Sequence, residues 1–158
     1  MTSACFLSAV YEIHEFRKRI INKNIVEFES VSSITPILQE NKTIMEIEMP
    51  PLDYFASFEE CIQYKKKHIE KEHYYLEGSK RDEEQIVNFS CIPWVHFESM
   101  TNVIYSPLQI YPVITWGKLV DGNIPISVTV SHIFFFGYHF KMFYDGVEKY
   151  FDKPELIL

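Results

Sequence analysis

The sequence predicts an α/β protein of the α+β type, a mixed β-sheet covered by helices. Three observations carry that expectation. Segments with a two-residue apolar period and segments with a helical period intermingle along the chain instead of separating into halves. Asp121-Gly122 marks a tight hairpin turn, so at least one pair of strands is antiparallel inside an alternating pattern. The 158 residues suit a single domain, residues 1–158, long enough for a real core but too short for two.

Taken in order, residues 4–20 read as a helix, because Phe6, Val10, Ile13, Phe16 and Ile20 return at three- and four-residue steps. This helix begins almost at the first residue, which suggests that a structural segment once preceded it. Asn22-Lys23-Asn24 turns the chain into short strands at 25–28 and 32–38. A clearer strand follows at 43–49, where Met45, Ile47 and Met49 alternate with Glu46 and Glu48. Pro50-Pro51 stops it. Ser57-Phe58-Glu59-Glu60 matches a capping box, and a helix should run from there to about residue 75, with Lys65-Lys66-Lys67 on a solvated face. Residues 78–84 read as a polar loop, 86–92 as a strand closed by Pro93-Trp94, and 94–107 as irregular chain. A strand at 110–118 carries Thr115 in its middle, and the hairpin leads into the strand that opens at Ile124. Residues 138–151 close the chain as a helix.

Composition narrows the function classes. Hydrophobic content of 47% with 16% aromatic residues excludes a disordered chain. Lys and Arg number 15 against 22 Asp and Glu, a net charge of -7, which argues against nonspecific nucleic-acid binding. Cys5, Cys61 and Cys91 form neither a CxxC pair nor a disulfide framework, so a reducing cytoplasm fits best. The N-terminus lacks the basic flank of a signal peptide. The most apolar stretch, 124–143, holds a proline, two histidines, a lysine and several hydroxyls, and reads as core and not as a membrane span.

That stretch, IPISVTVSHIFFFGYHFKMF, begins as a strand and ends as a helix, with His132 at the changeover. Ile126, Val128 and Val130 alternate with Ser127, Thr129 and Ser131, and His132 falls in step with the aliphatics. A histidine at the end of a buried strand is expected to be neutral through desolvation and able to accept a proton. On position alone the readier reading is a core histidine with satisfied ring nitrogens.

Other chemistries find little support. His68 and His73 are five apart on a helix, which splits them across faces, and no third ligand lies at a useful spacing, so no metal is expected. No acid is placed to orient His132 in a Ser/His/acid triad, and no phosphate-cradling glycine loop is present.

Four patches in fixed order carry a resemblance: Phe16-Arg17 followed by a strand; Pro93-Trp94-Val95-His96-Phe97-Glu98-Ser99; Tyr111-Pro112-Val113-Ile114-Thr115-Trp116-Gly117-Lys118; and Ser131-His132 leading to Gly137-Tyr138-His139. Together they resemble the chloramphenicol acetyltransferases, colinear over essentially the whole chain. The resemblance implies the two-layer sandwich of coenzyme A-dependent acyltransferases, a cytoplasmic homotrimer, and transfer of acetyl from acetyl-CoA to the primary hydroxyl of chloramphenicol, an antibiotic-resistance activity. The second histidine of the family's His-His-x-x-x-Asp-Gly signature, its general base, matches His132. The serine of its P-W-x-x-F-x-S element matches Ser99, an oxyanion donor, and its threonine near the next strand end matches Thr115, which assists through a water. The resemblance assigns no coenzyme A contacts here.

The chain departs from that pattern at two places. The signature's first histidine is Ser131 and its aspartate is Phe136. In the family the aspartate forms a buried ion pair with an arginine near the chain's start, and that arginine is absent too, since the sequence begins where the family's first strand and part of its first helix should have passed. A buried carboxylate without its partner costs about 3–5 kcal/mol, so Phe136→Asp is expected to lower the melting temperature. Three readings therefore stand: the acetyltransferase, a non-catalytic binding or assembly relative, and an acyltransferase with another alcohol acceptor. Ser99 as a turn cap, Thr115 as a satisfied sheet residue and Trp94 as a core or interface anchor are the structural alternatives.

Overall fold

A computed structural model describes residues 2–69, 85–103 and 111–157. Helix α1 (Thr2–Tyr11) leads through a 3₁₀ turn (His14–Arg17) into a hairpin of β1 (Lys18–Ile21) and β2 (Asn24–Glu27). Then come β3 (Ser32–Leu38), β4 (Ile44–Met49), α2 (Phe58–Ile69), β5 (Ile86–Cys91), β6 (Val113–Trp116), β7 (Ile126–Thr129) and α3 (Gly137–Asp152). Five strands form one sheet in the order β4-β3-β5-β6-β7. Its inner pairs β3–β5 and β5–β6 are parallel, and its outer pairs β3–β4 and β6–β7 are antiparallel, so the sheet is mixed as expected. Pro36 lies in β3 beyond the three residues that pair with β5, where its missing N–H breaks no bond to that neighbour.

The register sorts residues into two faces. Phe89 pairs with Ile114, which pairs with Val128; Cys91 pairs with Trp116, which pairs with Ile126. This apolar face meets α1 and α3 in one core, where the Phe6 ring lies 5.0 Å from Trp116, 6.2 Å from Phe89 and 6.3 Å from Phe143. The helices cross closely at Gly146, where a Cβ would stand 3.2 Å from that of Ala9. Lys149 and Tyr150 on α3 both reach the Glu12 carboxylate, at 2.6 and 2.7 Å. The opposite face of β6 and β7 carries Thr115, Ser127 and Thr129.

The helix expected over 4–20 ends at Tyr11. Ile13 and Phe16 do reach the core, but from a 3₁₀ turn, and Ile20 lies in β1. Apolar spacing alone cannot separate the two, because either path buries the same side chains. The deciding feature is Asn22-Lys23, both at positive φ (49° and 67°), which makes a two-residue hairpin pairing Ile21 with Asn24. Strands β6 and β7 are also shorter than the expected 110–118 and the pattern opening at Ile124. At α2, Ser57 Oγ accepts the Glu60 N–H as expected, at 3.2 Å, while the Glu60 carboxylate reaches Ala56 N–H. Lys65 leaves the solvated face to donate to Ser3 Oγ at 2.8 Å, and burial pushes its ammonium down from the ordinary lysine range. The end of that helix and the 78–84 loop lie outside the described residues. Among the described residues no helix is long and apolar enough to cross a membrane.

Candidate active site

The polar face of β6 and β7 carries one of the residues named from the sequence, Thr115. Thr115 is fully buried, and its hydroxyl donates to Asn102 Oδ1 at 2.6 Å. Asn102 Nδ2 donates in turn to Thr129 Oγ1 at 2.9 Å. Ser127 Oγ, on the same face, donates to the Met100 carbonyl at 2.8 Å. Three small polar side chains thus hold the segment just after Ser99 against the two strands. An amide suits the task, since one side chain can accept from one strand and donate to the next.

The chain before Ser99 is held from the other end of β6. Ile92 N–H donates to the Trp116 carbonyl (2.9 Å), and Lys118 N–H to that of Val95 (2.7 Å). Gly117 makes this approach possible. A Cβ there would lie 2.5 Å from the Val95 oxygen and 2.9 Å from the Phe97 ring, so any side chain would push the segment away. His96 is spoken for, its Nδ1 donating to the Lys118 carbonyl at 3.0 Å. Ser99 itself is exposed at the end of this stretch, and Trp94 is exposed rather than in the core.

His132 does not sit where the strand pattern put it. Strand β7 ends at Thr129, and residues 131–134 form a turn in which Phe134 and Phe135 N–H both donate to the Ser131 carbonyl at 3.2 Å. The Ser131 hydroxyl accepts the Ile133 N–H at 3.4 Å. His132 is exposed, with the Phe136 ring edge-on at 5.7 Å. The alternation of Ile126 and Val128 breaks before reaching it, so the desolvated setting expected for the ring is not the one it has. Phe134 and Phe135 take the core positions, while Ile133 and Phe136 face outward. Phe136 is 59% exposed and occupies the N-cap of α3, so it does not fill a buried apolar site.

The structure pairs the Thr115 strand with the strand that precedes His132 through the β6–β7 ladder, and ties Thr115 to the Ser99 segment through Asn102. No hydrogen bond among the described residues joins His132, Ser99 and Thr115 directly. Sequence reasoning missed Asn102, whose one signal is an amide three residues past Ser99 in otherwise irregular chain. It also missed Glu15 and His139, which meet across the fold with Nε2 and Oε2 3.8 Å apart. Among the described residues no group of three or more His, Cys, Asp or Glu is arranged to hold a metal ion.

The family model described as chloramphenicol acetyltransferase matches residues 4–148. A chloramphenicol acetyltransferase from Staphylococcus aureus is 32% identical over 76 residues, which are 45% of this chain and 35% of that protein's length. The match therefore spans little more than a third of that curated relative. A solved structure of a chloramphenicol acetyltransferase superposes with a TM-score of 0.79 at 26% identity, over 94% of this chain and 75% of that one. A dihydrolipoamide acetyltransferase from Azotobacter vinelandii shares the fold, with a TM-score of 0.67 at 11% identity over 99% of this chain and 70% of that one.

Proposed function

The chain belongs to the chloramphenicol acetyltransferase family, and on that premise we propose that it is an acetyl-CoA-dependent O-acetyltransferase acting on the primary hydroxyl of a small alcohol such as chloramphenicol. His132 is the general base and Ser99 the oxyanion donor. The observation that carries the reading is the exposed imidazole in the turn that follows β7, whose neighbouring strand carries Thr115, bonded to the segment that presents Ser99.

An alcohol is a poor nucleophile at neutral pH, so the reaction needs an imidazole with a free ring nitrogen within hydrogen-bonding reach of the hydroxyl. His132 takes the hydroxyl proton as the oxygen attacks the thioester carbonyl. Negative charge moves to that carbonyl oxygen, where the Ser99 hydroxyl donates to it, a stabilisation of about 3–4 kcal/mol for such donors. Collapse breaks the C–S bond, and the departing thiolate recovers the proton from the imidazolium. No acyl-enzyme is needed, because both substrates are bound together. Thr115 gives its one proton to Asn102 and so supports the placement of the Ser99 segment, while its oxygen keeps lone pairs to accept from a water that assists the reaction.

Ile133, Tyr138 and Trp94 are large apolar side chains exposed around these segments. A surface of that kind is usually covered by a partner, which supports a homotrimer with the site at the seam between subunits. The test is thiol release from acetyl-CoA with and without chloramphenicol, alongside sedimentation of the same preparation. Acceptor-dependent release that is lost in Ser99→Ala at unchanged assembly supports the reading. A folded trimer that releases no thiol with chloramphenicol or any other primary alcohol contradicts it and favours the non-catalytic relative.

A further inference from the structure

The turn that carries His132 hangs between two anchors. One is Thr129, fastened to Asn102. The other is the first turn of α3, where the N-cap is Phe136, a residue with no side-chain group to accept a hydrogen bond. His139 supplies one instead. Its Nδ1 accepts the Phe136 backbone N–H at 3.1 Å, and the His139 backbone N–H donates to the Phe136 carbonyl at 3.0 Å. This is the work of the Glu or Gln three residues into a capping box, done by an imidazole. An accepting Nδ1 requires the proton on Nε2.

That proton faces the 3₁₀ turn after α1. His139 Nε2 lies 3.8 Å from Glu15 Oε2, and the other carboxylate oxygen accepts from Lys18 Nζ at 3.0 Å. Burial opposes the charge on Glu15, but the Lys18 hydrogen bond, a backbone N–H and the Lys18 charge outweigh it and hold the carboxyl below its ordinary range. An apolar contact runs alongside, with Phe135 edge-on to His139 at 5.7 Å and to Phe16 at 4.6 Å. The series ends at the Phe136 ring against His132.

We infer that Glu15 and His139 are positioning residues for His132: the imidazole of His139, set against the Glu15 carboxylate, pins the Phe136 end of the turn and so fixes where the exposed His132 ring points. The inference rests on the acetyltransferase reading for its kinetic consequence, but not for its geometry. A displacement of about an ångström at a reacting group costs on the order of 100-fold in rate. His139→Leu is therefore expected to lower kcat by roughly 10- to 100-fold, with KM for acetyl-CoA moving less than about twofold because no contact to that substrate is removed. His139→Gln, which keeps an acceptor for the Phe136 N–H, should restore most of the loss. Glu15→Ala should lower kcat in the wild type and add nothing in the His139→Leu background, since both act through one connection.

An unchanged kcat in folded His139→Leu, failure of His139→Gln to recover, or multiplying losses in the double variant would overturn the inference. Should the wild type show no turnover, the proposed function fails on its own, and NMR of the histidine rings decides the tether. One sharp His132 signal that shifts or broadens in His139→Leu then supports it, and a His132 signal and Phe136 amide unmoved by that change refute it.

Discussion

Asn102 offers the most quantitative test of how the site is held. It joins two strands through bonds of 2.6 and 2.9 Å, and both it and Thr115 are shielded from water. Asn102→Ala removes two hydrogen bonds, each worth about 1 kcal/mol net, and strands the Thr115 hydroxyl at a further cost of about 1 kcal/mol or more. The sum is about 3 kcal/mol. For a domain of this size that lowers Tm by roughly 6–12 °C. Thr115→Val keeps the shape and removes one bond, for about 1–2 kcal/mol. Because the two changes delete the same bond, the double variant should be less destabilised than the sum by about 1 kcal/mol. Urea or thermal unfolding of the four proteins measures this coupling. Strict additivity, or an Asn102→Ala loss below about 0.5 kcal/mol, would show that the asparagine does not hold β6, β7 and the Ser99 segment together.

Further outcomes follow from individual residues. Phe136→Asp places a favoured capping residue at an exposed N-cap, so Tm should rise by the equivalent of about 1 kcal/mol. This reverses the sequence expectation of a buried, uncompensated charge, and a clear fall in Tm would restore it. Gly117→Val drives a side chain into the Val95 carbonyl and the Phe97 ring, so a loss of about 1–3 kcal/mol together with reduced turnover is expected; wild-type Tm would contradict the close approach. Glu15 has a lowered carboxyl pKa in the fold, so its contribution is present above its ordinary value of 4.5 and fades as pH falls through the folded value. Glu15→Gln should therefore cost up to about 1 kcal/mol near neutral pH, and the gap in Tm should close on acidification; a gap that is constant with pH rules out the ionised carboxylate as its source.

Much of the sheet was legible because its side chains report their faces. Met45, Ile47 and Met49 alternate cleanly against glutamates in β4, and Asp121-Gly122 do form a tight turn, with Asp121 and Gly122 at positive φ and Val120 bridged to Asn123. The 4–20 segment misled because Ile13 and Phe16 serve the core equally from a helix or from a 3₁₀ turn. His132 misled because an alternating pattern does not say where a strand stops: a serine able to close a turn on its own carbonyl and hydroxyl ends β7 before the ring reaches the core. The Asn102 bridge and the Glu15–His139 approach join residues far apart in the chain, through polar side chains that leave no periodic trace. Such pairings follow only once the strand register is known. The resemblance supplied the three candidate residues, and the structure supplied the bonds around them.

In the proposed reaction the exposed His132 imidazole removes the proton from the acceptor hydroxyl. The direct measurement is kcat/KM for thiol release from acetyl-CoA with chloramphenicol, in the wild type and in His132→Ala of matched assembly. General-base removal predicts a fall of about 10²- to 10⁴-fold at unchanged Tm. A His132→Ala protein that transfers acetyl within about twofold of the wild-type rate would contradict it.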